Sequence, residues 1–385
     1  DLLQYERVIK FLRKDLSPLT GNNNISIFKN GEEKFPELFK CLEAARHHIH
    51  LEYYIFEDDN IGKKVAEILK RKAEEGVAVR MIVDGVGSLG LRKSFFEDLK
   101  KAGVQVVEFM PVLFPSFTSK INYRNHRKIV VIDGMIGFTG GMNISDRYIN
   151  NGKHKTYWRD THVKIEGESV KTLQFLFILS WQFVTQEELD SVDNFFPKFT
   201  PKGKHLIQIN ASGPDWELAS IMDSFFLAIN SARKNVKIIT PYFIPTESIL
   251  DAITTAAMSD VKVELMIPSK ADSWIVEAAT KSFIKQLLEV GVNVYLYTKG
   301  FLHSKVIIMD NNFASIGSAN MDYRSFDLNH EVNAYFYDEE IIDQLTKEFE
   351  NDITDCEILH LDNWKNRRLT QKLKESACRL LAPLL

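Results

Sequence analysis

Two histidines stand in the same chemical setting. His126-Arg127-Lys128 runs through four apolar residues to Asp133, and His303-Ser304-Lys305 runs through four apolar residues to Asp310. Seven residues after each aspartate comes a small pair, Gly140-Gly141 or Gly317-Ser318, and ten residues after it comes an asparagine, Asn143 or Asn320. In an extended strand, positions i and i+2 face the same side, so each histidine shares a face with its lysine, Lys128 or Lys305. A neutral imidazole can attack phosphorus, and an imidazolium can protonate a departing alkoxide. Two copies can supply one of each, and their titrations belong to the pair. Lys128, Lys305, Asn143 and Asn320 can hold non-bridging phosphate oxygens as charge grows on them. The small residues Gly141 and Ser318 let backbone N–H groups come close to a phosphate. Asp133 and Asp310 complete each motif, but they close apolar runs, which suits structural pairing better than bond-making. With cations and donors built in, the chemistry needs no metal and no cofactor. His47, His48 and His50 are poorly spaced for a single metal site.

The elements that must position these residues are written twice. The first half reads HIHLEYYIF, a helix-like IGKKVAEILKRKAEEG, the strand-like VAVRMIVDG, FFEDLKKAG and VQVVEF. The second reads NVKIITPYFI, ESILDAITTAAM, VKVELMIPS, KSFIKQLLEVG and VNVYLY. Short apolar runs alternating with 3.6-periodic segments predict βαβ units around mainly parallel sheets. Tyr54 and Tyr242 are 188 residues apart, as are Gly103 and Gly291, whereas His126 and His303 are 177 apart. The first half therefore carries 11 extra residues between Gly103 and His126, in a stretch that includes Phe114, Phe117 and Tyr123.

The expected organisation is an N-terminal helical segment over 1–21, a first lobe over 22–190, a connector over 191–203, a second lobe over 204–355 and a basic tail over 356–385. FFPKFTPKGK, with its prolines, glycine and lysines, marks the connector. The stretch Leu173–Val184 is too short to span a bilayer and is broken by polar residues, so it reads as a buried helix. Of 385 residues, 45% are hydrophobic and 26% charged, the balance of a globular chain with a sizeable core. A formal net charge of -4 counts against wrapping a nucleic-acid backbone. Three widely spaced cysteines give neither a disulfide framework nor a zinc cluster.

The repeated pattern resembles the phospholipase D superfamily, whose signature is HxKx4Dx6GSxN. The second copy matches throughout; the first has Gly141 where serine is usual. The resemblance implies an α/β fold of two phospholipase D-like lobes, each a mainly parallel or mixed sheet flanked by helices. A pseudo-twofold relates the lobes, with the active site between them. It implies a covalent phosphohistidine, with His126 as nucleophile and His303 as acid and then base. It also implies that Asp160, in WRDTHVKIEG, and Glu331, in NHEVNAYF, orient the imidazoles. Glu52, Tyr54 and Tyr242 lie on strands that frame the cleft in this family and are candidate headgroup contacts.

HIHLEYYIF, NHRKIVVIDG, FTGGMNISDRY, PYFIPTESIL, KGFLHSKVIIMD, IGSANMDYRSF and the closing RLLAPLL are similar to bacterial cardiolipin synthases over nearly the whole chain. That resemblance implies phosphatidyl transfer between two phosphatidylglycerol molecules with release of glycerol. It also implies a place at the bacterial cytoplasmic membrane, with anchoring helices upstream of Asp1. The basic, leucine-rich tail Trp364–Leu385 suits either an anionic membrane surface or docking on its own domain. A lipid hydrolase shares every one of these residues. A nuclease is disfavoured by the acidic balance, and a non-catalytic scaffold by two intact motifs.

Overall fold

Gly103 and Gly291, matched in the repeat, do the same job. They follow the helices Lys93–Lys101 and Trp274–Glu289 at φ of 93° and 89°. This left-handed conformation costs glycine little, and it lets the next N–H reach back to Leu99 O or Leu287 O. Each helix thereby turns into the last parallel strand of its lobe, Gln105–Phe109 or Asn293–Tyr297. The helix Asn60–Glu74 shows the apolar spacing behind such units. Asp59 caps it by accepting from Gly62 N at 3.0 Å, and Val65, Ala66, Ile68 and Leu69 bury one face.

The computed structural model describes residues 2–111, 123–151, 156–198, 203–215 and 218–382. Phe114 and Phe117 of the expected insertion lie outside them. The two sheets have one strand order. In the first lobe it is Thr20–Phe28, His162–Glu166, Ile136–Gly140, Lys128–Ile132, His48–Tyr53, Ala78–Asp84, Gln105–Phe109. In the second it is His205–Ser212, Asn329–Phe336, Phe313–Gly317, Val306–Met309, Asn235–Ile239, Lys262–Pro268, Asn293–Tyr297. The three last strands of each series pair in parallel and the others antiparallel, giving mixed sheets. Thr20–Phe28 lies antiparallel beside His205–Ser212, with Thr20 opposite Ile207, so the lobes share one continuous sheet.

A shared core fills the seam. Ile129, Val131, Val163 and Leu173 of the first lobe pack with Ile209, Ile308, Val332 and Phe336 of the second. The helices Val170–Thr185 and Glu339–Ile353 cover it. The N-terminal helix Glu6–Lys14 belongs physically with the second lobe. Its Tyr5, Val8, Ile9 and Leu12 join the core of Ile221, Phe225 and Ala228. Gln208 Nε2 fixes it by donating to Ile9 O and Ser17 O. Beyond residue 355, Cys356–Ile358 adds one more antiparallel strand to the second sheet. The helix Leu369–Arg379 packs on Trp274–Glu289.

Candidate active site

Each catalytic strand is preceded by a short ribbon that reaches into the other lobe. Arg124–Asn125 pairs in parallel with Asn329–His330, and Gly300–Leu302 pairs in parallel with Tyr157–Arg159. The register then aligns the next residue of each segment: His126 beside Glu331, and His303 beside Asp160. Backbone bonds hold the alignment, His126 N donating to His330 O at 2.9 Å and His303 N to Arg159 O at 2.7 Å. The orienting carboxylates are thus crossed between lobes. Glu331 receives His126 Nδ1 at 2.9 Å, and Asp160 receives His303 Nδ1 at 2.7 Å.

A carboxylate on Nδ1 fixes the proton there and leaves Nε2 with its lone pair. Both imidazoles line one cavity of about 550 Å³ between the lobes. Burial lowers the pKa of His126 to about 4 against the pull of Glu331. Burial, reinforced by Lys305, lowers that of His303 to about 3. Burial thus favours the neutral form of both rings. Burial alone would raise Glu331, but His126, Lys128 and the Ser318 hydroxyl outweigh it and keep the carboxylate ionised.

The lysines lie beneath the histidines. Lys128 Nζ donates to His126 O at 2.6 Å, and Lys305 Nζ donates to His303 O. Burial lowers Lys128 to about 7 and Lys305 to about 8, so near neutral pH Lys305 is mostly charged, and it is Lys128 whose charge an entering anion would favour.

The two small pairs explain each other. Ser318 Oγ donates to Glu331 Oε2 and its N–H to Val332 O, so the serine braces a carboxylate from behind. In the first lobe a Cβ on Gly141 would come within 2.1 Å of Asp160 Oδ1. The shorter Asp160 occupies the space that a side chain would need, and takes its second bond from Thr161 N at 2.7 Å. Gly141 N itself donates to Thr161 O. Neither Gly141 nor Ser318 lines the cavity. This corrects the expectation that they touch phosphate: their donors are spent on the sheet and on the orienting carboxylates.

Asn143 and Asn320 do line it. Asn143 is fixed by Ile55 N and by its own bond to the Tyr148 hydroxyl at 3.1 Å. Asn320 Oδ1 is buried without a hydrogen-bond partner. Tyr54 and Tyr242 are on the cavity wall. Tyr54 meets the His126 ring edge-on at 5.0 Å, and the Tyr242 hydroxyl donates to Asp272 at 2.7 Å. Glu52 does not line the cavity. It is buried under the sheet, accepting from Asn125 Nδ2 at 2.7 Å and Ser180 Oγ at 2.8 Å, so the expected headgroup contact gives way to support of the strand before His126.

Asp133 and Asp310 sit at the opposite ends of their strands, about 15 Å from the lysines by strand rise. Both adopt positive φ in the hairpin turn, 54° and 52°. Their carboxylates accept from the backbone N–H groups of 46–48 and of 233–235, respectively. They tie each hairpin to the neighbouring strand and touch no part of the cavity.

The wall also carries Arg124, Arg147, Tyr148, Trp158, Asp272, Asp322 and Arg324, which the motif reading passed over. Arg147 and Arg324 are 177 residues apart, the offset of the histidines, so the repeat register contained that signal. Arg147 is ion-paired with Glu57 and lies 5.3 Å over the Trp158 ring. His48 and His50 are occupied elsewhere: both bond the Gln174 amide at 2.8 Å, and His50 stacks on Phe177.

A family model described as "Cardiolipin synthase, PLD-like domain" matches residues 38–170 and 226–353. The chain is 46% identical over 372 residues to a cardiolipin synthase of Halalkalibacterium halodurans, covering 96% of this chain and 74% of that one. It is 47% identical over 358 residues to cardiolipin synthase 2 of Bacillus anthracis, covering 92% and 70%. Among solved structures, the phosphatidylserine synthase of Haemophilus influenzae superposes with a TM-score of 0.74 at 16% identity, over 99% of this chain and all of that one. At that identity the likeness speaks for the two-lobed fold.

Proposed function

Because the chain belongs to the cardiolipin synthase family of phospholipase D-like proteins, we propose that it transfers a phosphatidyl group from one phosphatidylglycerol to another and releases glycerol. His126 Nε2 attacks phosphorus. The P–O bond to the glycerol headgroup breaks, and the departing oxygen takes its proton from the His303 imidazolium. The result is a phosphatidyl–His126 adduct, free glycerol and neutral His303. A hydroxyl of the second phosphatidylglycerol then gives its proton to His303 as its oxygen attacks phosphorus. His126 leaves as neutral imidazole. A diester and an alcohol exchange for a diester and an alcohol, so no outside energy source is consumed.

The observation that carries this reading is the pair of Nδ1-locked imidazoles in one cavity, each underlain by a lysine. A phosphodiester anion beside His303 favours its protonated form, offsetting the burial that holds it neutral. Asn143 and Asn320 then face the developing charge from the cavity wall, and Lys128 and Lys305 add positive charge from beneath the histidines. Asp133, Asp310, Gly141 and Ser318 act through the backbone and the carboxylates. The substrate is a bilayer lipid, so the chain works at a membrane surface. Among the described residues no helix is long and apolar enough to cross a membrane.

Incubating the chain with phosphatidylglycerol and resolving the lipids tests the reaction. Cardiolipin with matching glycerol release is expected, and phosphatidic acid alone overturns the transfer reading. Acid-free trapping followed by peptide mass spectrometry should place the adduct on His126. An adduct on His303 reverses the assignment of the two roles.

A further inference from the structure

We propose that the outward face of the C-terminal helix Leu369–Arg379, with Trp274 beside it, seats in the headgroup layer of an anionic bilayer and holds the cavity mouth there. The proposal rests on the lipid reading above and adds where the membrane is met. A helix docked on a globular domain ordinarily turns its leucines inward. This one does the reverse. Its inward positions are Glu375 and Cys378, with Arg379 anchored to Ser282 O and Gln286 Oε1. Leu369, Leu373 and Leu380 fall within about 40° of one another on the opposite side at 100° per residue. They are 69%, 61% and 83% exposed.

Charge says what covers this face. Residues 364–382 hold six basic side chains and one acidic one, in a chain whose net charge is -4. The single acid, Glu375, is bonded to Arg367. Lys365, Arg368 and Lys374 are exposed around the leucines. Basic residues ringing an apolar stripe match an interface of anionic headgroups over acyl chains. Two copies meeting through this face would instead bring their cations together.

Position links the face to the chemistry. Lys374 Nζ lies 4.5 Å over the ring of Trp274, which is 60% exposed. Trp274 directly follows Asp272 and Ser273, which line the catalytic cavity along with Val276. A bilayer touching Trp274 and the leucines therefore lies at the rim through which a lipid headgroup enters.

The test uses the 385-residue chain and its Leu369→Ser, Leu373→Ser, Leu380→Ser triple variant, in flotation with vesicles of phosphatidylglycerol and phosphatidylcholine or of phosphatidylcholine alone. Each leucine moved out of water changes partition by about tenfold or more. The triple variant should thus lose at least about a hundredfold in binding to the anionic vesicles, while phosphatidyl transfer in detergent-mixed micelles stays at the parent level. Wild-type binding should be weaker to phosphatidylcholine alone. Unchanged vesicle binding by the triple variant overturns the proposal. So does a variant that turns an oligomer into a monomer with vesicle binding intact, since a second copy then covers the face. If the parent chain makes no cardiolipin in micelles, the reaction assignment fails, and flotation still reports on the docking face by itself.

Discussion

Lowering the pH should unfold this protein earlier than its charge balance suggests, because the fold buries neutral histidines both in the cavity and elsewhere in its core. Burial holds His48 and His126 at about 4, and His303 and His330 at about 3, against an ordinary value of 6.5. His50 and His162 are depressed in the same direction. Below pH 6.5 the unfolded chain binds protons that the folded chain refuses, so stability falls as pH falls. Between about pH 7.5 and about pH 5.5, each of the first four histidines costs about 1.4 kcal/mol, roughly 5 kcal/mol together. Asp322, raised to about 6 by burial, works the other way and returns about 1 kcal/mol over that interval. Lys128, lowered to about 7, costs about 1 kcal/mol over the same interval, so the net loss of roughly 5 kcal/mol is a large share of a typical folding free energy of about 5–15 kcal/mol. Urea titrations followed by tryptophan fluorescence at the two pH values should show the midpoint dropping sharply on the acid side. Replacing both catalytic histidines, His126→Gln with His303→Gln, should recover about half of the histidine cost, since glutamine does not titrate. Equal midpoints at the two pH values would refute the claim that these rings are held neutral by the fold.

Two further substitutions test the site itself. Asp160→Asn keeps the shape but can no longer hold the His303 tautomer, and should lower turnover by about 10³-fold or more with little change in urea midpoint at neutral pH; near-parental steady-state rates would show that the crossed carboxylate is dispensable. Gly141→Ser places a Cβ where Asp160 Oδ1 now lies, and should cut activity by at least about tenfold. Pairing Gly141→Ser with Asp160→Glu, which copies the Ser318–Glu331 arrangement, should restore part of that loss, and a double variant no better than the single would argue against the exchange.

The repeat and the paired motifs were legible because strand periodicity and residue spacing survive in one dimension. The register matched Tyr54 to Tyr242, and the family resemblance placed both beside the cleft. The crossing of Asp160 and Glu331 could not, because it depends on two short ribbons that pair residues roughly 150 to 200 positions apart. The glycine at 141, where serine is usual, has its reason in Asp160, which fills the space a side chain would take. Ser318 and Gly141 suggested phosphate binding by residue type, yet the sheet had already claimed their N–H groups. Glu52 is another case: a carboxylate on a cleft-framing strand is ambiguous until the face it points to is known. The tail left two readings open. Its helix docks on its own lobe and still turns its leucines outward, an arrangement that composition alone does not distinguish.

The continuous sheet that joins Thr20–Phe28 to His205–Ser212 also governs traffic. Among the described residues the lobes are knit by backbone hydrogen bonds and a common apolar core, a join that resists opening and shutting as separate bodies. On the proposed mechanism, exchange is then a matter of queueing: glycerol has to leave the cavity between the lobes before the headgroup of the second lipid can take its place beside the adduct. A site of this kind would work as a turnstile rather than a jaw, one headgroup giving way to the next between walls that stay in place.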